Sequence, residues 1–346
     1  MKKNVRIFAI SVFFIILIPL LFFLGLKIWI KQQYNKDGNL LLIAYPDPLI
    51  LYEITKSKMV VWEYYLSKQG EWRGGYQMIY ATRFKNGNTL IFDPGAANNK
   101  IYEINRSKEI VWRCDELKKD DTLVSHFSGP TSAQRLPNGN TLITGDSSVI
   151  EVTGDCRIIW EHICVQNDSF AYPSTAFKFP DNKIGILVFV HSGLEYWEVD
   201  YSSNQVVKKI DLEKYTTSSA VILPNKHILV AAIPFIGAKN PIAIELDTLT
   251  NIVWRFEPGE DIFDLRKNRW GDEIKPYAFN VYPTSKMNFF IDYLNCGTIE
   301  VTPSKEVVWK LEDDESLRDI LGIKFFGKRL NDSLYRTYEV AGIVQY

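Results

Sequence analysis

One phrase recurs along this chain, and it dictates the fold. Residues 85–114 read KNGNTLIFDPGAANNKIYEINRSKEIVWRC, and residues 137–162 read PNGNTLITGDSSVIEVTGDCRIIWEH. Residues 37–64 read DGNLLLIAYPDPLILYEITKSKMVVWEY, and three worn copies begin at Pro180, Pro224 and Pro283. The closing aromatic falls at Trp62, Trp112 and Trp160, is replaced by Lys208, and returns at Trp254 and Trp309. The spacings are 50, 48, 48, 46 and 55 residues. A unit of that length containing short strands is one blade of a β-propeller.

Each copy parses by the same local physics. The Asn-Gly or Asp-Gly pair supplies the positive φ of a tight hairpin turn. TLI is a short buried strand, and IYEI, VIEV or TIEV alternates apolar and polar as a half-buried third strand. A second turn at NRSK, TGDC or TPSK leads to an outer strand, EIVW, RIIW or EVVW, whose Trp packs between blades. An inner strand precedes each Asn-Gly turn: IYATRF (79–84), SAQRLP (132–137), STAFKF (174–179), SSAVIL (218–223) and AFNVYP (278–283). That makes five inner strands for six units, because the first unit begins at its turn. The tail, SLYRTYEVA (333–341), is expected to supply the sixth by docking beside residues 40–43 and hiding the last sheet edge. The expected fold is all-β: a six-bladed propeller over residues 37–346, closed by a C-terminal strand.

Ahead of it stands an apolar run, residues 7–30, IFAISVFFIILIPLLFFLGLKIWI. Its first twenty residues carry no charge, enough for a helix to span a bilayer core of about 30 Å. Lys2, Lys3 and Arg6 precede it, favouring a cytoplasmic N-terminus. No small-x-small cleavage site follows Leu24, so the segment reads as an uncleaved signal-anchor. The expected organisation is a cytoplasmic tail (1–6), a transmembrane helix (7–30), a linker (31–36) and an extracytoplasmic propeller. The chain is thus a single-pass membrane protein.

Charge and cysteine usage narrow the chemistry. Lys+Arg 40 against Asp+Glu 41 leaves a net charge of -1, which excludes the cationic footprint of nucleic-acid binding. The cysteines, Cys114, Cys156, Cys164 and Cys296, form no CxxC pair, so no zinc site is expected. Cys156 and Cys164 flank one strand, about 26 Å apart, and cannot bond each other. Buried free thiols are expected, with a bridge between neighbouring blades as the alternative. There is no GxSxG, P-loop, GxGxxG or HExxH, and no cofactor is implied. Asn105, Asn167 and Asn331 open glycosylation sequons.

The phrases SAQRLPNGNTLI, VIEVTGDCRIIWEH and SLYRTYEV resemble the arylsulfotransferase-type propellers, themselves similar to quinoprotein-like propellers. The resemblance spans residues 37–346 and is strongest at 132–162. It implies a histidine near the propeller axis that carries a sulfuryl group from an aryl sulfate to a phenol, assisted by cationic donors. Family members carry a His shortly before the AQRLPNGN strand; here that stretch is Ser128-Gly129-Pro130-Thr131.

Of four histidines, His126 alone is placed where a nucleophile reaches the mouth of the ring. His162 reads as an inter-blade or surface residue, His191 as a hairpin residue and His227 as solvent-exposed. Arg83 and Arg135 hold matching places on two inner strands and are candidates for binding an anion, against the plainer expectation of pairing with an acid or covering a Trp face. Asp93, Asp146 and Asp292 are candidate channel-lining acids, or else turn caps. The functional expectation is a ligand- or protein-binding scaffold, its partner a protein or a small aromatic or anionic ligand in the channel. The alternatives are a sulfuryl transferase working through His126, and a quinoprotein-like or sugar-processing propeller.

Overall fold

The computed structural model describes residues 39–44, 50–66, 80–84, 86–93, 100–114, 116–120, 122–124, 130–145, 147–166, 169–212, 217–232, 242–259, 278–284, 288–293, 297–312 and 338–343. The expected membrane helix (7–30), its linker, His126, Asp146 and Cys296 lie outside them. Among the described residues no helix is long and apolar enough to cross a membrane.

Six antiparallel four-stranded sheets follow one another along the chain, as a six-bladed propeller requires. Blade III shows the pattern: inner strand Pro130–Arg135, second Thr141–Gly145, third Ser148–Val152 and outer Ile158–Ile163, each paired with the next. Blades II, IV, V and VI begin their inner strands at Tyr80, Tyr172, Thr217 and Ala278. Blade I is ordered Tyr338–Ile343, Leu40–Ala44, Ile50–Ile54, Val60–Tyr65. Its register pairs Leu40 with Ile343 and Ala44 with Tyr338; this strand overlaps the segment read from sequence, 333–341, at 338–341 and ends two residues beyond it.

Three second strands, Thr141–Gly145, Ile228–Ala232 and Phe289–Tyr293, are buried along their whole length. Alternate residues face opposite sides of a sheet, and here both sides meet a neighbour. Phe289, Ile291 and Tyr293 pack toward blade V, while Phe290 packs toward blade I with Leu42 and Ile54. The core is therefore six apolar clusters, one per seam between adjacent blades, including the seam from blade VI back to blade I.

A hydrogen bond repeats at every seam. The indole N–H of Trp62 donates to Arg106 O at 3.1 Å, Trp112 to Gly154 O at 2.8 Å and Trp160 to Tyr201 O at 3.0 Å. Trp254 donates to Pro303 O at 3.0 Å and Trp309 to Lys56 O at 2.5 Å. Where Lys208 replaces Trp, its ammonium donates to Thr248 O at 2.7 Å. In each case the acceptor belongs to the turn between third and outer strands of the next blade. That turn holds a left-handed residue in all six blades: Lys58, Lys108, Cys156, Asn204, Thr250 and Lys305. A buried indole needs an acceptor for its N–H, and this turn presents one.

Blades II and III are also joined covalently. Cys114 and Cys156 form a disulfide with Cα atoms 5.7 Å apart, while Cys164 is a buried free thiol. The bridge corrects the expectation of free thiols at Cys114 and Cys156 in favour of the inter-blade alternative, while Cys164 matches it. The short hairpin Leu117–Lys119/Thr122–Val124 follows it and lies against the outer strand of blade III.

The seam bond yields a graded prediction. Trp160→Ala removes an indole stacked on Tyr201 at 5.2 Å as well as its hydrogen bond, and is expected to cost about 3 kcal/mol. Lys208→Ala loses mainly a hydrogen bond from a charged group, about 1.5 kcal/mol. Urea unfolding of the two variants beside the unsubstituted chain measures the order; equal midpoints for both variants would contradict it.

Candidate functional site

The repeated polar residues converge at the seams. A glutamate stands at the same place in every third strand: Glu53, Glu103, Glu151, Glu198, Glu245 and Glu300. Five are buried, from 0% exposed at Glu53 to 7% at Glu103. Each is gripped first by the residue that closes its own blade's hairpin turn. Asn39, Asn88, Asn140 and Asn288 donate side-chain amides at 2.6 to 2.8 Å. Lys183 (3.0 Å) and His227 (2.6 Å) do so in blades IV and V. His227 is thus a half-buried partner of Glu245, not the solvent-facing residue its turn position suggests.

A cation from the next blade then completes five of these pairs. Arg83 reaches Glu53 at 3.1 Å, joined by Arg106 at 2.6 Å. Arg135 reaches Glu103 at 2.5 Å, Lys178 reaches Glu151 at 2.7 Å, Lys226 reaches Glu198 at 3.0 Å and Lys56 reaches Glu300 at 2.5 Å. Arg83 and Arg135 share a further geometry. Each guanidinium donates to the carbonyl of its own turn glycine, Gly87 at 2.8 Å and Gly139 at 3.2 Å. Each lies over the preceding blade's seam tryptophan, 4.3 Å from Trp62 and 4.8 Å from Trp112. The Arg83 side chain is 0% exposed. Both arginines thus stand at matching places, as the sequence indicates, and both are held in clamps between blades.

The three acids named for the channel occupy successive registers. Asp292, Asp93 and Asp146 lie four, five and six residues after the turn residues Asn288, Asn88 and Asn140. Asp292 is 2% exposed, accepts from Thr298 Oγ1 at 3.1 Å and stands across from Asn280 on the inner strand. Asp93 ends the strand Thr89–Asp93.

Toward the axis, the inner strands of blades III to VI share a bulge. It falls at residue 131 in blade III, 174 in blade IV, 218 in blade V and 279 in blade VI. Bulges bend a strand and re-aim its side chains. In blade III, Thr131 and Ser132 each hydrogen-bond Thr144 Oγ1 at 2.8 Å, and Thr131 donates to Pro173 O of blade IV at 2.9 Å. These contacts make a cluster of hydroxyl groups between the inner strands of blades III and IV.

A cavity of about 540 Å³ opens at the outer edge of blade III, lined by Lys119, Glu161, His162 and Asn204 among others. Asn204 Nδ2 donates to Glu161 O at 2.9 Å, so its Oδ1 faces His162 Nδ1, 2.9 Å away. That orientation places the imidazole proton on Nδ1. Burial pushes the His162 pKa down, and Nε2 is enclosed with no hydrogen-bond partner. A neutral ring stacked on Trp160 at 6.1 Å is a wedge between blades III and IV. Burial also raises the Cys164 thiol to about 12, which keeps it protonated. Among the described residues no group of three or more His, Cys, Asp or Glu is placed to hold a metal ion.

No protein-family profile matches this sequence, and no curated protein matches it by sequence. Solved structures do resemble it. A catalytically inactive virginiamycin B lyase from Staphylococcus aureus with quinupristin aligns at TM-score 0.48 and 14% identity, over 82% of this chain and 87% of that one. A nidogen/laminin complex aligns at TM-score 0.49 and 8% identity, over 81% and 95%. BamB from Moraxella catarrhalis aligns at 0.35 and 11%, over 78% and 87%. These are distant propeller neighbours.

The clamps make stability depend on pH. Burial alone raises the Glu151 pKa, but hydrogen bonds from Asn140, Lys178 and Asn138 outweigh it and leave the group below 4.5. Glu198 behaves likewise, with Lys183 and Lys226 outweighing burial. Both carboxylates bind protons more weakly folded than unfolded. Their contribution is full above the unfolded glutamate pKa and is lost as pH falls through the lower folded values. Melting temperature is expected to hold from pH 7 to 5 and fall below about 4.5, with Glu151→Gln and Glu198→Gln together shallowing the fall. Arg83→Ala removes the fully buried guanidinium from Glu53, which keeps Arg106 and Asn39, and is expected to cost about 2 kcal/mol. Arg135→Ala, at a wetter pair, should cost less, and calorimetry compares the two.

Proposed function

We propose that this chain is a membrane-anchored, extracytoplasmic propeller that works as a binding scaffold rather than as an enzyme. One observation carries the reading. Five outer strands present aliphatic side chains to solvent at the same position: Val111 (49% exposed), Ile159 (51%), Val207 (52%), Val253 (51%) and Val308 (51%). Outer strands are sheet edges, and β-branched residues on an open edge invite pairing with another chain. The clamps favour the same reading, since Arg83 and Arg135 answer to buried glutamates. The Cys114–Cys156 bridge suits an oxidising compartment, and the uncharged run within residues 7–30 suits a single span with its N-terminus in the cytoplasm.

The tail belongs to this proposal as the seal of the ring. Tyr338–Ile343 covers the inner edge of blade I's Leu40–Ala44, an edge that would otherwise stay unpaired. Deleting residues 338–346 is expected to lower the melting temperature and to convert soluble propeller into oligomers on size-exclusion chromatography. An unchanged melting curve would remove the seal.

A second reading rests on the phrase at residues 132–162: sulfuryl transfer through His126. In it the S–O bond of an aryl sulfate breaks, the group passes to an imidazole nitrogen, and a phenol accepts it. Purified full chain in detergent, given p-nitrophenyl sulfate and a phenol, separates the two. The scaffold reading expects no p-nitrophenol release. Turnover that His126→Ala abolishes would replace it with transfer chemistry.

A further inference from the structure

We infer that one face of the propeller, the face of the tight turns around blades VI, I and II, rests on anionic lipid headgroups. The opposite face, where the inner strands begin, then points away from the bilayer. This rests on the anchor proposed above and adds an orientation and a lipid contact to it.

The first argument is topological. In a four-stranded antiparallel blade, the first and third connections lie on one face, and the second connection and the passage to the next blade lie on the other. The apolar run ends at residue 30, and the chain enters blade I at Leu40–Ala44, its second strand. That strand starts on the face of the first and third turns. Residues 31–38 span at most about 28 Å fully extended, at about 3.5 Å each. A five-residue strand already measures about 17 Å. To turn the other face to the membrane, the linker would have to spend about 17 Å of its roughly 28 Å reach climbing the blade.

Charge is the second argument. The third turns of blades VI, I and II carry Lys305, Lys58 and Lys108 against Glu109 and Glu306, beside Lys56 and Arg106, which answer to the buried Glu300 and Glu53. The same turns in blades III, IV and V carry Arg157 against Asp155 and Asp247. The cations therefore gather on the blade that receives the anchor and on its two neighbours. Lys108 and Lys305 are exposed and Lys58 is half-buried. All three lysines sit in the left-handed conformation, with φ of 70°, 71° and 61°, where glycine or asparagine sits without strain. Lys27 and Lys31 flank the apolar run on the same side. Cations held just outside a bilayer are drawn to anionic headgroups.

The test uses the full chain reconstituted in lipid nanodiscs. Ser57→Cys places a donor dye on the turn face of blade I, and Ser192→Cys places one on the far face of blade IV. Rhodamine-headgroup lipid is the acceptor, and the unsubstituted chain is the labelling blank. The expected result is stronger energy transfer from position 57 than from 192 in discs containing phosphatidylglycerol. Transfer from position 57 should weaken in pure phosphatidylcholine and in the triple variant Lys58→Glu, Lys108→Glu, Lys305→Glu. Equal or reversed transfer from the two positions overturns the orientation. Transfer from position 57 that ignores both lipid charge and the triple variant overturns the headgroup contact. Alkaline carbonate extraction of the same preparations isolates the anchor: a chain released by carbonate means that the anchor itself has failed.

Discussion

The bond from each outer-strand tryptophan to a turn of the next blade is the constraint on which this fold depends. Blades are separate sheets with no backbone pairing between their faces, so apolar contact alone leaves their stagger loosely defined. An indole buried at a seam must place its N–H on an acceptor. The acceptor is one particular carbonyl, fixed by a turn whose fourth residue is left-handed. Repeated around the ring, this sets each sheet against the next, and Trp309 to Lys56 O brings the last blade onto the first. Blade IV shows which part of the constraint is essential. Lys208 lacks an aromatic ring yet reaches Thr248 O, so a donor at that point is what the seam requires.

The period, the turns and the seam tryptophans were legible because each is a local property. Asn-Gly demands a tight turn wherever it stands, and a Trp every fifty or so residues marks a blade without knowledge of its neighbours. The glutamates were just as regular in the text, yet IYEI and VIEV suggest a strand with one wet face. That inference fails because a propeller sheet is covered on both sides, so the polar half of the alternation is buried at Glu53, Glu151 and Glu300. Their meeting with Arg83, Lys178 and Lys56 depends on how neighbouring sheets are staggered, and a repeat period does not contain that quantity. The Cys114–Cys156 bridge was open for the same reason: residues on two different blades come together only through the seam.

The later blades have lost the letters of the motif and kept its contacts. Asn182 and Lys226 stand where Gly87 and Gly139 stand, in the same left-handed conformation. Lys226 then uses its side chain to reach Glu198, supplying from a turn the charge that Arg135 supplies from a strand. His227 and Lys183 take over the task of the turn asparagine. Divergence that keeps a turn-residue partner on every one of these glutamates and a next-blade cation on five of them fits a ring held rigid, because losing such a partner leaves a buried charge uncompensated.

A rigid ring of six similar seams has little to distinguish one direction around its axis from another, so what is particular to this protein lies where the symmetry breaks. The short turns form one face, and their length leaves little room for variation beyond charge. The other face receives the long connections, including residues 67–79, 260–277 and 313–337, and loops on a rigid scaffold are where recognition concentrates. In the orientation proposed above, the short path of residues 31–38 into blade I favours the first face as the one turned to the membrane. The opposite face is then free to meet a partner, and the half-exposed aliphatic side chains of the outer strands remain open to one lying alongside the ring.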